Sequence, residues 1–210
     1  MDRSDLIYES LLKMYPDAHC QLDYDSDFQL AVAVLLSAQT TDVSVNKVTK
    51  QLFARYPDAR SLSEAPLEEL ESIIRQLGLF HAKARNIRQM ASEIVRRHDG
   101  VLPKDFDGLT TLSGIGVKCA NVIMAEIYHI PAFPVDTHVS RIARRLGIAE
   151  ENDSLAAVER KLRDYFPEER WIKMHHLLIF FGRNMCRARN PQCRDCPFTE
   201  FCREKADDQS

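Results

Sequence analysis

Almost every apolar segment of this chain repeats with the period of an α-helix, and this repeat restricts the possible folds more than any other feature. Residues 87–95 place apolar side chains at positions i, i+3, i+4, i+7 and i+8, which lie on one face of a helix. The same template recurs in segments that start at Val45, Leu67, Val139 and Leu155. No segment alternates like a strand between turn residues, so the sequence predicts an all-α fold of about ten helices.

Two further details refine this helical pattern. Residues 28–39 are mostly apolar, and their length and alanines favour a buried helix over a buried strand. Gly78, Gly147 and Gly182 each follow an apolar helical segment, so each is predicted to end a helix.

The charge of the chain is unevenly distributed. The net charge of −3 argues by itself against a nucleic-acid partner, but residues 1–27 hold seven acids against two basic residues. Arginines concentrate later in the chain, at Arg141, Arg144, Arg145, Arg183, Arg187, Arg189 and Arg194. Such a face can neutralise phosphates because charge acts within a Debye length, although the same residues could be ordinary solvated helix faces. The N-terminus lacks a signal-peptide pattern and no apolar run is long enough for a membrane, which predicts a cytoplasmic protein.

Four of the six cysteines lie in the last 25 residues, in the spacing Cys-x6-Cys-x2-Cys-x5-Cys. A tight cysteine cluster in a cytosolic protein indicates a metal rather than a disulfide framework. Ligation by cysteines alone in one compact run suits a 4Fe–4S cluster, whereas structural zinc usually uses two separate Cys-x2-Cys pairs. We therefore predict a 4Fe–4S cluster, with zinc as the alternative. Its predicted ligands are Cys186, Cys193, Cys196 and Cys202.

The segment Leu112–Lys118, "LSGIGVK", predicts a tight turn that leads directly into a helix. Gly114 and Gly116 allow a sharp turn and close approach to another molecule, and the free N–H groups of the next helix form an anion site. With a short helix before it, this pattern indicates a helix-hairpin-helix, which grips DNA phosphates without reading sequence, although a plain turn is also possible.

Lys118 lies at the start of that helix, where an acidic residue would be electrostatically preferred. A lysine attacks as a nucleophile only in its neutral form, and the positive helix end and partial burial both disfavour the ammonium form. Lys118 is therefore a candidate nucleophile. The alternative is a lysine that only contacts a phosphate.

The run "LSGIGVKCANVIMAEIYHIPAFPVDTHVSRIARRLG", together with the cysteine spacing, resembles the endonuclease III family of DNA glycosylases. The resemblance covers nearly the whole chain, including "LLSAQTTDVSVNKV" and "GLFHAKARNI". It implies that Lys118 is the nucleophile and Asp136 its partner, and Asp136 also has the position and residue type of a helix N-cap. Ser113 departs from the proline usual in the family, and Cys119 from the usual threonine.

The resemblance also implies how the chain contacts DNA. Gln39 and Leu79 would enter the base stack and fill the space left by a flipped nucleotide, although each could simply be a surface or capping residue. The full set of predicted DNA contacts is Gln39, Leu79, Gly114, Gly116, His138, Arg141, Arg187 and Arg189.

The implied architecture has two helical lobes with a DNA cleft between them. Residues 20–131 would form a helical barrel that carries the helix-hairpin-helix. Residues 1–19 and 132–210 would form the iron–sulfur cluster domain. We expect a monomer, associated with the nucleoid, that acts on double-stranded DNA with damaged bases or abasic sites.

The implied function is that of a bifunctional DNA glycosylase/AP lyase of base excision repair. It would remove oxidised pyrimidines and nick the abasic strand by β-elimination through a lysine Schiff base. Two alternatives within DNA binding are a non-catalytic helix-hairpin-helix protein with a structural cluster, and an adenine mismatch glycosylase of the same fold, which lacks the lysine. A ferredoxin-like carrier is a third, but it would not need the hairpin.

Overall fold

The computed structural model describes residues 2–204, which form eleven α-helices and two short 3-10 helices. No strand occurs among these residues, so the all-α prediction is confirmed. None of the described helices is both long and apolar enough to cross a lipid bilayer. The helices are α1 Arg3–Met14, α2 Asp27–Leu36, α3 Asp42–Arg55, α4 Ala59–Glu64, α5 Leu67–Ile73, α6 Phe80–His98, α7 Phe106–Thr110, α8 Val117–Tyr128, α9 Thr137–Arg145, α10 Leu155–Tyr165 and α11 Trp171–Asn184, with 3-10 helices at Glu168–Arg170 and Cys193–Asp195.

The described residues form two compact units. One unit is Gln21–Ile130, and the other combines residues 2–20 with 131–204. The chain therefore passes between units at residues 20–21 and 130–131.

The unit Gln21–Ile130 is built around α2. Every residue of α2 after Asp27 is buried, and the helix packs against α3, α6 and α8. A helix that is apolar on all sides must be surrounded by other elements, so the predicted buried helix is confirmed for residues 28–36. Residues 37–39, which the prediction included, form a turn instead. Ser26 fixes its start, because the Ser26 hydroxyl accepts a hydrogen bond from the Gln29 N–H.

The other unit has a core that is formed mainly by α1, α9, α10 and α11. Ile7 and Leu11 of α1 are fully buried in this core, which ties the N-terminal helix to the C-terminal third of the chain. Phe198, from the cysteine-rich segment, is also fully buried and makes an edge-to-face contact with Phe181 at 5.4 Å.

Two predicted helix ends are wrong. Helix α5 ends at Ile73, before Gly78, and residues 74–79 form a turn. Helix α11 continues through Gly182 to Asn184. A Cβ at Gly182 would lie 3.0 Å from the Cβ of His138, so this glycine allows α9 and α11 to approach closely and does not end the helix. The third prediction is confirmed, since α9 ends at Arg145 and Gly147 has the left-handed φ of +69°.

Candidate functional site

The predicted helix-hairpin-helix is formed by α7, the turn 111–116 and α8. Gly114 has φ of +81°, and an added Cβ would lie 2.7 Å from the Leu35 Cδ1 atom, so the fold itself requires this glycine. Gly116 differs, because its φ is −92° and no atom lies within 4 Å of an added Cβ. No side chain caps α8, so the first N–H groups of this helix remain available as donors. The turn thus presents an anion site with open space over Gly116.

Lys118 is the second residue of α8, and its side chain is exposed. The expectation that partial burial helps to keep its amine neutral is therefore wrong. What the position provides is the positive end of the helix and direct access from solvent.

A buried carboxylate that the sequence analysis missed holds the hairpin turn. Glu93 of α6 is 6% exposed and accepts hydrogen bonds from the Ser113 N–H at 2.8 Å and the Ser113 hydroxyl at 2.9 Å. The Gln89 amide donates a third bond to it, at 3.0 Å. Burial alone would raise the pKa of Glu93, but these hydrogen bonds and the positive charge of Arg97 outweigh burial, and its pKa lies below the usual value of 4.5. A proline at position 113 has neither an N–H nor a hydroxyl and could donate neither bond. The contact between Glu93 and the hairpin turn therefore depends on Ser113.

Gln39 and Leu79 share an uncommon backbone conformation. Both are non-glycine residues with left-handed φ angles, 54° at Gln39 and 59° at Leu79. Both side chains are exposed, and Leu79 has 64% of its surface open to solvent. A left-handed backbone at a leucine lowers the stability of the folded protein, and an exposed side chain does not offset this by packing. Strained residues of this kind are often found at functional sites.

Asp136 caps α9, as predicted. Its Oδ1 atom accepts a hydrogen bond from the Val139 N–H at 2.8 Å, and the residue is half-buried. Two residues later, His138 packs against Gly182 and contacts the Arg141 guanidinium at 3.2 Å. Burial lowers the pKa of His138, while the Asp136 carboxylate opposes this effect.

The predicted arginines differ in how far they are engaged within the protein. The Arg141 guanidinium donates to the carbonyls of Gly182 at 3.0 Å and Cys186 at 2.9 Å, so part of its donor capacity supports the fold. Arg187 and Arg189 are exposed on the cysteine-rich segment. Arg145, which the site prediction left out, donates to the Cys186 sulfur at 3.3 Å and to the Arg187 carbonyl at 2.8 Å.

The four C-terminal cysteines are half-buried and form no disulfide. Burial raises the pKa of the Cys196 and Cys202 thiols, and the negative charges of the other cysteines in the segment raise it further. The four sulfur atoms therefore influence one another electrostatically. In residues 2–204, however, no three His, Cys, Asp or Glu side chains are grouped closely enough to form a ready metal site.

The predicted site residues divide between the two units. Gln39, Leu79, Gly114, Gly116 and Lys118 belong to Gln21–Ile130. The other unit carries Asp136, His138, Arg141, Arg187, Arg189 and the four cysteines.

Comparison with known proteins places this arrangement in a family. Residues 32–168 match the model of the HhH-GPD superfamily of base excision DNA repair proteins. The chain is 45% identical to endonuclease III of Bacillus subtilis (strain 168) over 191 residues, which is 91% of this chain and 87% of that protein. It is 37% identical to endonuclease III of Escherichia coli (strain K12) over 194 residues, covering 91% of this chain and 92% of that protein.

Solved structures give the same result. A trapped endonuclease III–DNA covalent intermediate matches with a TM-score of 0.93 at 44% identity, and the match covers 98% of both chains. A thermostable thymine-DNA glycosylase shares the fold, with a TM-score of 0.85 at 19% identity. This chain thus belongs to the HhH-GPD superfamily of base excision DNA repair proteins and, within it, to the endonuclease III family of DNA glycosylases/AP lyases.

Proposed function

We propose that this enzyme removes oxidised pyrimidine bases from duplex DNA and cuts the resulting abasic strand by β-elimination through a Schiff base on Lys118. The observation that carries the proposal is the position of Lys118, an exposed amine in the first turn of α8, directly after an uncapped hairpin turn. The 44% identity to an endonuclease III trapped as a covalent intermediate with DNA supports a covalent step.

The hairpin would hold the DNA backbone. The free N–H groups at the start of α8 attract a phosphate, and the space over Gly116 allows that phosphate to approach the main chain. Contacts of this kind position a duplex but carry no sequence information. A repair enzyme that must act in any sequence context needs this property.

Lys118 would supply the nucleophile. The neutral amine attacks the anomeric carbon of the damaged nucleoside and displaces the base, and loss of the amine proton with opening of the sugar ring gives the Schiff base. Loss of a proton from the adjacent sugar carbon then expels the 3′ phosphate, so the strand is cut. Hydrolysis of the imine releases the enzyme.

Asp136 would act on charge and protons at the same sugar. The cap bond to Val139 uses Oδ1 and fixes the direction of the carboxylate. We assign Oδ2 to stabilising the positive charge that develops on the sugar and to accepting the lysine proton.

Gln39 and Leu79 would occupy the space left in the duplex. Flipping a damaged nucleotide costs a few kcal/mol, less for a poorly stacked lesion. The Leu79 side chain can wedge a base step, and the Gln39 amide can hydrogen-bond the base that has lost its partner. The exposure of both side chains agrees with these roles.

The four cysteines would hold a 4Fe–4S cluster. The four cysteines have the chemistry that such a cluster needs. They form no disulfide, and as thiolates they would repel one another, so binding to the positively charged iron of one cluster would stabilise them together. When bound, the cluster supplies a structural centre, since neither base displacement nor elimination transfers net electrons. It would hold the segment on which Arg187 and Arg189 meet phosphates.

The test is a panel of duplexes that contain an oxidised pyrimidine, uracil, a mismatched adenine or a preformed abasic site. We expect base release followed by nicking on the oxidised pyrimidine and nicking on the abasic site, with both activities lost in Lys118→Gln. Excision of mismatched adenine without nicking would favour the adenine glycosylase alternative. Binding to all duplexes without any cleavage would favour a non-catalytic DNA-binding protein.

A further inference from the structure

Lys83 is a buried lysine that the proposed reaction does not use. It lies in the first turns of α6 and is only 4% exposed. Its Nζ atom donates to the Thr40 hydroxyl oxygen at 2.6 Å, so its observed partner is a neutral group and not a carboxylate. Burial lowers the pKa of Lys83. Placing an ionisable side chain in this environment is costly, and an apolar residue at this position would fill the space at a lower cost.

Lys83 is hydrogen-bonded to both segments that carry the predicted intercalating residues, Gln39 and Leu79. Its backbone N–H donates to the Leu79 carbonyl at 3.0 Å, which is the first hydrogen bond of α6. Its side chain reaches Thr40, the residue after Gln39. The Thr40 hydroxyl in turn donates to the Ala38 carbonyl at 3.2 Å and so closes the chain around Gln39. One residue therefore connects the backbone of Leu79 to the turn that presents Gln39.

This connection matters because both segments are strained. A left-handed backbone at a non-glycine residue persists only where the surrounding structure determines it, and both Gln39 and Leu79 adopt this conformation. Two side chains that enter one base stack must also keep a fixed separation. An error of about 1 Å in such an arrangement can cost a hundredfold in rate.

We propose that Lys83 is a positioning residue that sets the spacing between Gln39 and Leu79, and that the Lys83–Thr40 bond thereby controls how the enzyme reads the base opposite the lesion. The proposal rests on the proposed function, in which Gln39 bonds the base opposite the lesion. It adds a residue pair whose effect appears in opposite-base preference and not only in stability.

The first experiment measures single-turnover base excision on duplexes in which an oxidised pyrimidine is paired with each of the four bases. Lys83→Met removes the donor while keeping the length and apolar body of the side chain. Thr40→Val removes the acceptor on a half-exposed residue, so it tests the same bond if Lys83→Met fails to fold. We expect each to slow excision by about tenfold and to narrow the spread of rates among opposite bases. Thr40→Ser, which keeps the hydroxyl, should retain both the rate and the spread.

A mutant cycle with Gln39→Ala separates positioning from a general loss of stability. In the unmodified protein Gln39→Ala should slow excision by about tenfold, and in the Lys83→Met or Thr40→Val background it should add less than about threefold. If the two effects multiply in full, or if opposite-base preference is unchanged in Thr40→Val, the Lys83 proposal is wrong while the proposed function stands. If Gln39→Ala has no effect by itself, the intercalating role in the proposed function is wrong, and the Lys83 proposal fails with it.

Discussion

Leu79 illustrates at the scale of a single residue how this protein gives up stability at its site. A left-handed backbone costs an L-residue roughly 1–2 kcal/mol. Leucine has no polar side chain with which to offset that cost by a local hydrogen bond. Since 64% of the side chain is exposed, burial does not repay it either. A residue with this combination is explained by what it does to a bound molecule, not by what it does for the fold.

Leu79→Gly should therefore separate stability from activity. Glycine accepts a φ of 59° without strain, so the variant should be as stable as the original protein or up to about 1 kcal/mol more stable. Base excision should fall by about tenfold or more, because the wedge is lost. Thermal or urea unfolding and single-turnover excision are the two measurements.

His129→Gly provides the matched control for Leu79→Gly. His129 is also exposed and left-handed, with φ of 51°, but it lies at the C-terminal end of α8. It should gain stability in the same way without any change in excision. Equal excision rates in Leu79→Gly and the original protein would contradict the assignment of Leu79.

The two hairpin glycines give a second residue-scale prediction. Gly114→Ala should destabilise the protein by more than about 1 kcal/mol, because φ is +81° and the new Cβ would meet Leu35. Gly116→Ala should change the free energy of unfolding by less than about 0.5 kcal/mol, because no protein atom lies near the added methyl group. It should weaken DNA binding, because a bound DNA backbone would contact that methyl group. A large loss of stability in Gly116→Ala would show that the fold, and not a ligand, requires this glycine.

The sequence could predict those site residues whose signal is local. The turn at Gly114, the N-cap at Asp136 and the helical position of Lys118 follow from neighbouring residues, and the structure agrees with each. Glu93 and Lys83 could not be predicted in this way. Their roles depend on bonds to Ser113 and Thr40, which are far away in the chain and become neighbours only in the folded protein.

At the scale of elements, the position of the hairpin depends on α6. Glu93 bonds both donors of Ser113, so a buried carboxylate supplies the rigidity that a proline turn would otherwise provide. The sequence predicted the apolar face of α6 correctly, but it did not indicate that a charged residue at the edge of that face is buried. The wrong ends predicted for α5 and α11 have a similar origin, because packing decided them and local helix signals did not.

Glu93→Gln should make the protein less stable by about 1–2 kcal/mol near neutral pH, because one of the two acceptor oxygens becomes an NH2 group and the remaining acceptor is no longer charged. The folded-state pKa of Glu93 is lowered, so its stabilisation is complete above the usual value of 4.5 and is lost as the pH falls through the folded-state pKa. The stability gap between the two proteins should therefore close on acidification. Urea unfolding at a series of pH values measures this gap, and a gap that does not vary with pH would contradict the role of the carboxylate. Gln89→Ala removes one donor to Glu93 and leaves both hydrogen bonds from Ser113 in place. This variant should therefore lose less unfolding free energy than Glu93→Gln.

At the scale of the molecule, the cysteine-rich segment is attached to its unit by contacts that do not involve a cluster. Phe198 is fully buried against Phe181, and Arg145 bonds to the segment at the Arg187 carbonyl. None of the four predicted ligands is among the buried residues of the core formed by α1, α9, α10 and α11, and only Cys186 and Cys196 pack against its edge. The helices of this unit should therefore stay folded when the proposed iron is removed. The cysteine-rich segment that carries Arg187 and Arg189 should lose its ordered conformation.

Removal of iron should consequently leave the helical circular dichroism largely intact while hydrogen exchange increases across residues 186–204. DNA affinity should fall. The plot of log affinity against log salt concentration should also become shallower, with its negative slope smaller in magnitude by about 2, because two phosphate contacts are lost. The double substitution Arg187→Ala and Arg189→Ala in the iron-loaded protein is the matched control and should give the same change in slope. Global unfolding without iron, or an unchanged salt slope, would contradict this account of the cluster.

The most direct test of the central claim is to trap the enzyme with borohydride on DNA that contains an oxidised pyrimidine and to locate the adduct by peptide mass spectrometry. We predict a single adduct on Lys118 and no adduct in Lys118→Gln, with the helical content of that variant unchanged. An adduct on another residue, or an equal trapping yield in Lys118→Gln, would contradict the assignment of Lys118 as the nucleophile.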